Sequence, residues 1–176
     1  MITAMANETQ MNAPDVSATV PDWSREQMKG RSWDPSRALL RSIRDYQRAQ
    51  GSLAGLRRKY AVLRHRLWSM ITGADIPINA AIGGGLLLPH PNGVVIHPDA
   101  QIGCNCLIFQ QVTIGATSKG IPTIGGHVDI GAGAKIIGPI HVGDHAQIGA
   151  NAVVRESIPA HGIFVAAPGF LLERKN

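Results

Sequence analysis

The residue best suited to catalysis is His90, which lies in the turn Pro-His-Pro-Asn-Gly at 89–93. An imidazole held in a turn on a rigid scaffold can act as a general base, and such a group contributes about 10²–10⁴-fold to a rate. A carboxylate on the second ring nitrogen would fix the tautomer and stabilise the imidazolium, and Asp75 is the candidate. From the residues alone another interpretation stays open, in which His90 is a solvated turn residue and Asp75 caps the start of the fold.

A period of six residues organises the chain that carries this turn. Gly follows most of the periodic aliphatic residues, and a small or β-branched residue stands four places after them. This period differs from the 3.6 of a helix and the 2 of a strand, and it is typical of a solenoid whose coil has three flat faces. A β-sandwich rich in Ile and Gly is the alternative. The periodic positions are Ile96, Ile102, Ile108, Ile114, Ile124, Ile130, Ile136, Val142, Ile148 and Val154.

The repeat is interrupted at two places. It begins earlier, at Ile76, Ile82 and Leu88, and the turn that contains His90 shifts its phase by two residues. Four extra residues between Ile114 and Ile124 predict an extruded loop. A loop on a solenoid is a place where ligand-binding residues concentrate.

We predict four segments along the chain. Residues 1–33 are expected to be disordered, and residues 34–72 lack the repeat and predict a helical segment. Asp34 suits a helix N-cap with Pro35 at the first helical position, and Gly51 marks a turn between two helices. The solenoid is predicted over 73–158, and a C-terminal tail over 159–176.

Two further pairs of residues have the types that metal or acyl chemistry uses. His127 and His145 are 18 residues apart, so they should stack on one edge of the solenoid. No third histidine stands at a matching spacing, and His161 is interpreted as a surface or turn residue, so we predict no metal site. Cys104 and Cys106 are too close in sequence for a disulfide, and Cys106 occupies an inward position. We therefore expect reduced, buried thiols rather than an acyl-cysteine nucleophile.

Charge and hydropathy limit the location of the protein. No stretch of 18 uncharged apolar residues and no secretory signal are found, so we expect a cytoplasmic protein. Between Ser36 and Met70, nine Arg or Lys residues accompany one Asp, a net charge of 9 − 1 = +8. This segment predicts contact with an anionic surface, either a membrane or a charged acceptor, while a solvated helical face is the alternative. We expect no nucleic acid partner.

The repeat resembles that of the left-handed β-helix acyltransferases over roughly residues 36–170. Within that superfamily the chain is most similar to the serine acetyltransferases. Residues 75–83 resemble the family's Asp-Ile-x-Pro-x-Ala-x-Ile-Gly opening, with the Pro displaced, and His90 to Gly93 resemble its His-x-x-Gly turn. The segments 115–117 and 130–136 also match. The resemblance implies a mainly β fold, a left-handed parallel β-helix with a short N-terminal helical segment.

The resemblance also implies a function and a set of site residues. It implies a homotrimeric O-acetyltransferase that uses acetyl-CoA as acyl donor, with His90 as the base and Asp75 paired with it. In this superfamily the acyl-CoA groove lies between adjacent subunits and is formed mostly by backbone. The residues implied to contact CoA are Gly115, Ala116, Thr117, Lys119, Ala132 and Ala150.

Two departures from the family pattern concern the acceptor. Pro89 stands where the family has an acceptor-binding Asp, and the loop 118–122 lacks the Asp-Arg-His-Pro stretch that helps to hold serine. Because an unpaired charge in a closed groove is costly, we expect a sugar or polysaccharide precursor as acceptor and L-serine as a poor one. Serine O-acetyltransferase is the alternative within the same class. A zinc carbonic anhydrase-like enzyme and a non-catalytic β-helix scaffold are alternatives from other classes.

Overall fold

Two helices precede a triangular β-solenoid in the computed structural model, which describes residues 16–28, 30, 33–167 and 169. Helix α1 spans Pro35–Arg48 and helix α2 spans Ala54–Thr72. The side chain of Asp34 accepts a hydrogen bond from the backbone N–H of Arg37, as expected of an N-cap. Within the described residues, neither helix is long and apolar enough to cross a bilayer.

In the described part of the chain, twelve short strands form three parallel sheets, each of four strands, in the orders β1-β3-β6-β9, β12-β10-β7-β4 and β11-β8-β5-β2. Apart from the pairs β1-β3 and β10-β12, neighbouring strands are three apart in sequence, which is the topology of a coil with three faces. The predicted left-handed parallel β-helix is confirmed, with about five coils. The strands are β1 Ala81–Ile82, β2 Val95–Ile96, β3 Gln101–Ile102, β4 Leu107–Ile108, β5 Thr113–Gly115, β6 Thr123–Ile124, β7 Asp129–Ile130, β8 Lys135–Ile137, β9 His141–Val142, β10 Gln147–Ile148, β11 Val153–Val154 and β12 Ile163–Phe164.

The interior of the solenoid is filled by the periodic residues. Each of the ten predicted aliphatic positions from Ile96 to Val154 is buried, and so are the residues four places later, except Ser118 in the loop. Leu39, Leu40 and Ile43 of α1 belong to the same hydrophobic core as Ile76 of the first coil. Removal of this apolar surface from water is the main stabilising contribution, and it fixes α1 to one end of the solenoid.

The N-terminal segment differs from the expectation of disorder at 1–33. Residues 1–15 lie outside the described residues, but a short 3-10 helix covers Trp23–Glu26. The side-chain amide of Asn105 holds this segment to the solenoid: its Nδ2 donates to the carbonyls of Ser17 at 2.7 Å and Val20 at 2.8 Å, and its Oδ1 accepts from the Asp22 N–H at 2.8 Å. The last coil also extends beyond 158, because Ile163–Phe164 pairs with Gln147–Ile148.

Candidate active site

Four corners of the solenoid stack beside His90 and form one edge, which we call the His90 edge. Its corners are residues 89–93, 109–111, 131–133 and 149–151. Backbone hydrogen bonds connect them, from Gln111 N–H to the Asn92 carbonyl at 2.9 Å and from Asn151 N–H to the Ala132 carbonyl at 2.8 Å. The structure therefore brings His90, Ala132 and Ala150 to the same edge.

The end of α2 supports the turn that carries His90. Gly73 terminates the helix in the left-handed conformation with φ 66°, which L side chains rarely adopt. A Cβ at Gly73 would lie 2.7 Å from Nδ2 of Asn92, and the Gly73 carbonyl accepts the N–H of Gly93 at 2.9 Å. Close contact between the helix end and the turn thus depends on glycine at position 73.

His90 is exposed and faces a cleft of about 480 Å³. Within the described part of the chain, no hydrogen bond or ion pair occupies its ring. The cleft is also lined by Asp34 and Ser36 from the start of α1, by Ile71 near the end of α2, and by Asn92. A solvent-accessible imidazole at the mouth of a cleft has the access that a general base needs.

Asp75 is not joined to His90 by any contact among the described residues. Its N–H donates to the carbonyl of Val94 at 2.8 Å, and its carbonyl accepts from Ile96 at 3.0 Å. The charge of Asp75 acts instead on His65 of α2, whose Nδ1 lies 3.3 Å from Oγ of Ser42. Burial lowers the pKa of His65, and the Ile76 carbonyl and the Asp75 carboxylate oppose that shift. The assignment of Asp75 as the partner of His90 stays a prediction.

The other residues predicted to contact CoA lie on a second edge, which we call the loop edge. Gly115 ends strand β5 and pairs with Ile137. Thr117 and Gly120 exchange backbone hydrogen bonds of 2.9 and 3.2 Å, so the predicted extruded loop is a tight hairpin. Ala116, Thr117 and Lys119 are exposed on it. The chain therefore presents the predicted CoA contacts on two separate edges.

A third edge carries the histidines that were considered for metal binding. His127 and His145 lie side by side on one edge as predicted, with their Nδ1 atoms 2.9 Å apart and their rings edge-to-face. His161, predicted as an ordinary surface residue, joins them, since its ring is parallel to that of His145 with centroids 4.8 Å apart. The described residues contain no group of three or more His, Cys, Asp or Glu arranged to hold a metal ion.

The cysteines are free and buried, as expected. Burial raises the pKa of the Cys106 thiol to about 12. A thiol with so high a pKa supplies very little thiolate at neutral pH, so Cys106 is a packing residue and a poor acyl acceptor.

Two residues of the site were not predicted from the sequence. Asp34, expected only as a helix cap, supplies a carboxylate to the wall of the His90 cleft. Gln110 lies on the His90 edge, and its buried Oε1 has no hydrogen-bond partner among the described residues. An unsatisfied buried oxygen costs free energy and is commonly explained by a ligand or a water molecule.

Known proteins similar in sequence to this chain include serine acetyltransferases. The serine acetyltransferase of Mycobacterium tuberculosis is 42% identical over 104 residues, which cover 57% of this chain and 45% of that protein. The serine acetyltransferase of Helicobacter pylori strain J99 is 44% identical over 117 residues, which cover 63% of this chain and 68% of that protein. This chain belongs to the serine acetyltransferase family.

Solved structures of serine acetyltransferases have the same fold. Isoform 3 from Entamoeba histolytica, in complex with cysteine, matches with a TM-score of 0.68 and 32% identity over 83% of this chain and 52% of that one. A serine acetyltransferase in complex with CoA matches with a TM-score of 0.64 and 32% identity over 77% of this chain and 56% of that one. No family model matches the chain.

Family membership confirms the resemblance deduced from the repeat and the His90 turn. It favours serine over the carbohydrate acceptor that was preferred from the sequence. The chain spans about half the length of the first curated relatives, 45% of one and 48% of another.

Proposed function

We propose that this protein is an acetyl-CoA-dependent serine O-acetyltransferase. The observation that carries the proposal is the 44% identity to the Helicobacter pylori serine acetyltransferase, over a region that includes the predicted catalytic turn. The solved relatives bound to CoA and to cysteine support an acyl donor of the CoA class and an amino-acid ligand.

In the proposed reaction His90 removes the proton from the acceptor hydroxyl. The hydroxyl oxygen then attacks the thioester carbonyl, a C–O bond forms and the C–S bond breaks. The CoA thiolate leaves and takes its proton from the His90 imidazolium. We assign to the Asp75 carboxylate the role of stabilising the His90 imidazolium. The reaction needs no metal.

The sequence lacks the family's residues that hold the charged groups of serine, and Asp34 is a candidate to replace one of them. Serine brings an ammonium group and a carboxylate, and each needs a partner in the site. Asp34 lines the His90 cleft and is offered as the partner of the ammonium, in place of the acidic residue expected at Pro89. Arg37 forms an ion pair with Asp34 at 2.5 Å. Arg37 and Arg25 line a second, neighbouring cleft that shares Asp34 and Pro89 with the His90 cleft, so both are candidates for the carboxylate.

We also propose a homotrimer. The predicted CoA contacts divide between the His90 edge and the loop edge of one subunit, and a groove between two copies would bring the two sets together. Closed rings of identical subunits are a common way to complete such a site.

The test is steady-state kinetics with acetyl-CoA, measuring thiol release together with the mass of the acetylated product. We expect saturable O-acetylation of L-serine at a rate above that of every sugar tested. Transfer to a sugar with little transfer to serine would show that the acceptor is wrong while the acetyltransferase assignment stands. Absence of transfer to any hydroxyl would overturn the function.

A carbohydrate acceptor remains the second candidate because of two specific features. Pro89 adds no charge beside the base, and the hairpin at 115–122 carries Lys119 as its only ionisable side chain. Neutral sugar hydroxyls would require only hydrogen-bond partners such as Asn92, backbone groups or water. The same panel of acceptors separates the two candidates.

A further inference from the structure

Helix α2 carries a continuous apolar stripe on its outer face. The residues of this stripe alternate in spacing between three and four, so they lie in one line along the helix. Their side chains are between 48% and 75% exposed, although large apolar residues of this kind are usually buried. We call this stripe the outer seam, and its residues are Leu53, Leu56, Tyr60, Leu63, Leu67 and Met70.

The opposite face of α2 is already occupied. Ala61 and Thr72 are buried, and Trp68 packs against the hydrophobic core. The outer seam therefore cannot be explained as the core-facing side of the helix. It is an apolar surface without a partner in the described residues.

Basic side chains flank the outer seam on both sides. Helical spacing puts Arg57 and Arg64 along one side and Lys59 and Arg66 along the other, and α2 contains no acidic residue. Arg64 is paired with Asp45 at 2.6 Å. No ion pair engages Arg57, Lys59 or Arg66 within the described residues. The surface thus combines an apolar centre with cationic margins.

A basic cleft adjoins the seam. It has a volume of about 390 Å³ and lies between α1 and α2, where Tyr60 of the seam forms part of its wall. Among the described residues, four arginines and a single acid, Asp45, line it, so it suits a phosphate group. The arginines are Arg41, Arg48, Arg57 and Arg64.

We propose that the outer seam of α2 docks the protein onto an anionic phospholipid bilayer. An apolar stripe between basic margins is the pattern of a helix that lies in the plane of a membrane interface. A second copy of the chain fits less well, because two seams packed together would oppose Lys59 and Arg66 to Arg57 and Arg64, and like charges repel. Anionic headgroups complement the charge and the acyl region takes the apolar side chains.

The docked orientation would bring the candidate active site close to the bilayer. Ile71 follows the last seam residue, is 43% exposed and lines the His90 cleft. The seam and the cleft therefore meet at the C-terminal end of α2.

The first test is flotation of the full-length protein with two kinds of vesicle. One contains phosphatidylcholine alone and the other contains about one third phosphatidylglycerol, which supplies the anionic surface. We expect the protein to float with the anionic vesicles only. Raising the salt to about 1 M, where the screening length falls to about 3 Å, should release much of it.

Two variants separate the apolar and the electrostatic contributions. Leu63→Ser with Leu67→Ser should weaken partition into anionic vesicles on the order of tenfold or more. Lys59→Gln with Arg66→Gln should weaken it by roughly 30-fold, at about one factor of five per basic residue. All four side chains lie outside the core, so circular dichroism and thermal unfolding should remain those of the unmodified protein.

Matched substitutions on the solenoid, away from α2, are the controls. Ile163→Ser with Val165→Ser changes two exposed apolar residues, and Lys119→Gln with Arg155→Gln removes two exposed charges. Neither should change vesicle binding. Equal binding to both vesicle types, or equal loss in the controls, would overturn the proposal. The seam would instead be a contact between two copies of the chain if three results came together. The protein would not float with vesicles, it would self-associate in their absence, and Leu63→Ser with Leu67→Ser would abolish that self-association.

Discussion

At the scale of single residues, Asp34 is an N-cap and the proposed partner of the serine ammonium, and a substitution can separate the two roles. In Asp34→Asn the amide oxygen can still accept the Arg37 N–H, because Asn and Asp are similar N-caps. The negative charge in the His90 cleft is lost. We expect the melting temperature to change little, and the KM for L-serine to rise about tenfold or more while the KM for acetyl-CoA stays constant. Initial-rate kinetics measure both, and a parallel rise in both KM values would argue against the assignment.

His90 can be tested against a second turn histidine. His90→Ala should reduce kcat by about 10²–10⁴-fold with unchanged CoA binding, because the general base is lost and the acyl-donor contacts remain. Asp75→Asn should give a smaller loss, since Asp75 is assigned an orienting and charge-stabilising role. His161→Asn is the control, because His161 lies on the third edge, away from both edges of the proposed site, and Asn tolerates its φ of 60°. Near-normal turnover by His90→Ala would contradict the mechanism.

The residues that sequence could predict are those that follow local rules. His90 stands in a recognisable turn, and Asp34 with Pro35 has the pattern of a helix start. The place of Asp34 in the cleft depends on contact between the start of α1 and the turn that carries His90, which are more than fifty residues apart. A local sequence pattern cannot predict such a contact. His161 was missed because the last coil is shorter: it follows His145 by 16 residues, whereas His145 follows His127 by 18.

At the scale of elements, two glycines at opposite ends of α2 should respond differently to alanine. Gly73 ends the helix with φ 66° and touches Asn92, so Gly73→Ala should cost about 1–2 kcal/mol and lower kcat by displacing the His90 turn. Gly55 lies within the helix with no atom near its added Cβ, so Gly55→Ala should stabilise by about 0.4–1 kcal/mol. Thermal unfolding measures both, and similar shifts in the two variants would contradict the proposed support of the turn by α2.

The elements also show which parts of the fold were predictable. The solenoid follows from its period, because each hexapeptide buries the same position in each coil. That residues 16–28 adopt a defined structure could not be predicted from their polar composition. It comes from tertiary hydrogen bonds to Asn105, a corner residue held at φ 60° some eighty positions later. Polar segments of this kind are ordered by their neighbours rather than by their own hydrophobic pattern.

At the scale of the whole molecule, the division of the predicted site between two edges has a direct consequence. The proposed base His90 is on one edge, and the predicted CoA contacts Gly115, Ala116 and Thr117 are on another. If each site forms between subunits, one subunit supplies the base and its neighbour supplies the loop. Light scattering should then give a trimer, and monomeric protein should have little activity.

Mixing two inactive variants tests this arrangement. His90→Ala disables the His90 edge, and Ala116→Trp should block the loop edge without affecting the core, because Ala116 is exposed. After joint unfolding and refolding of equal amounts, about one quarter of the sites between subunits would combine two unmodified edges and regain activity. Each variant refolded alone should stay inactive. A site contained within one subunit cannot be restored by mixing, so an inactive mixture of properly formed trimers would show that both edges must come from the same chain.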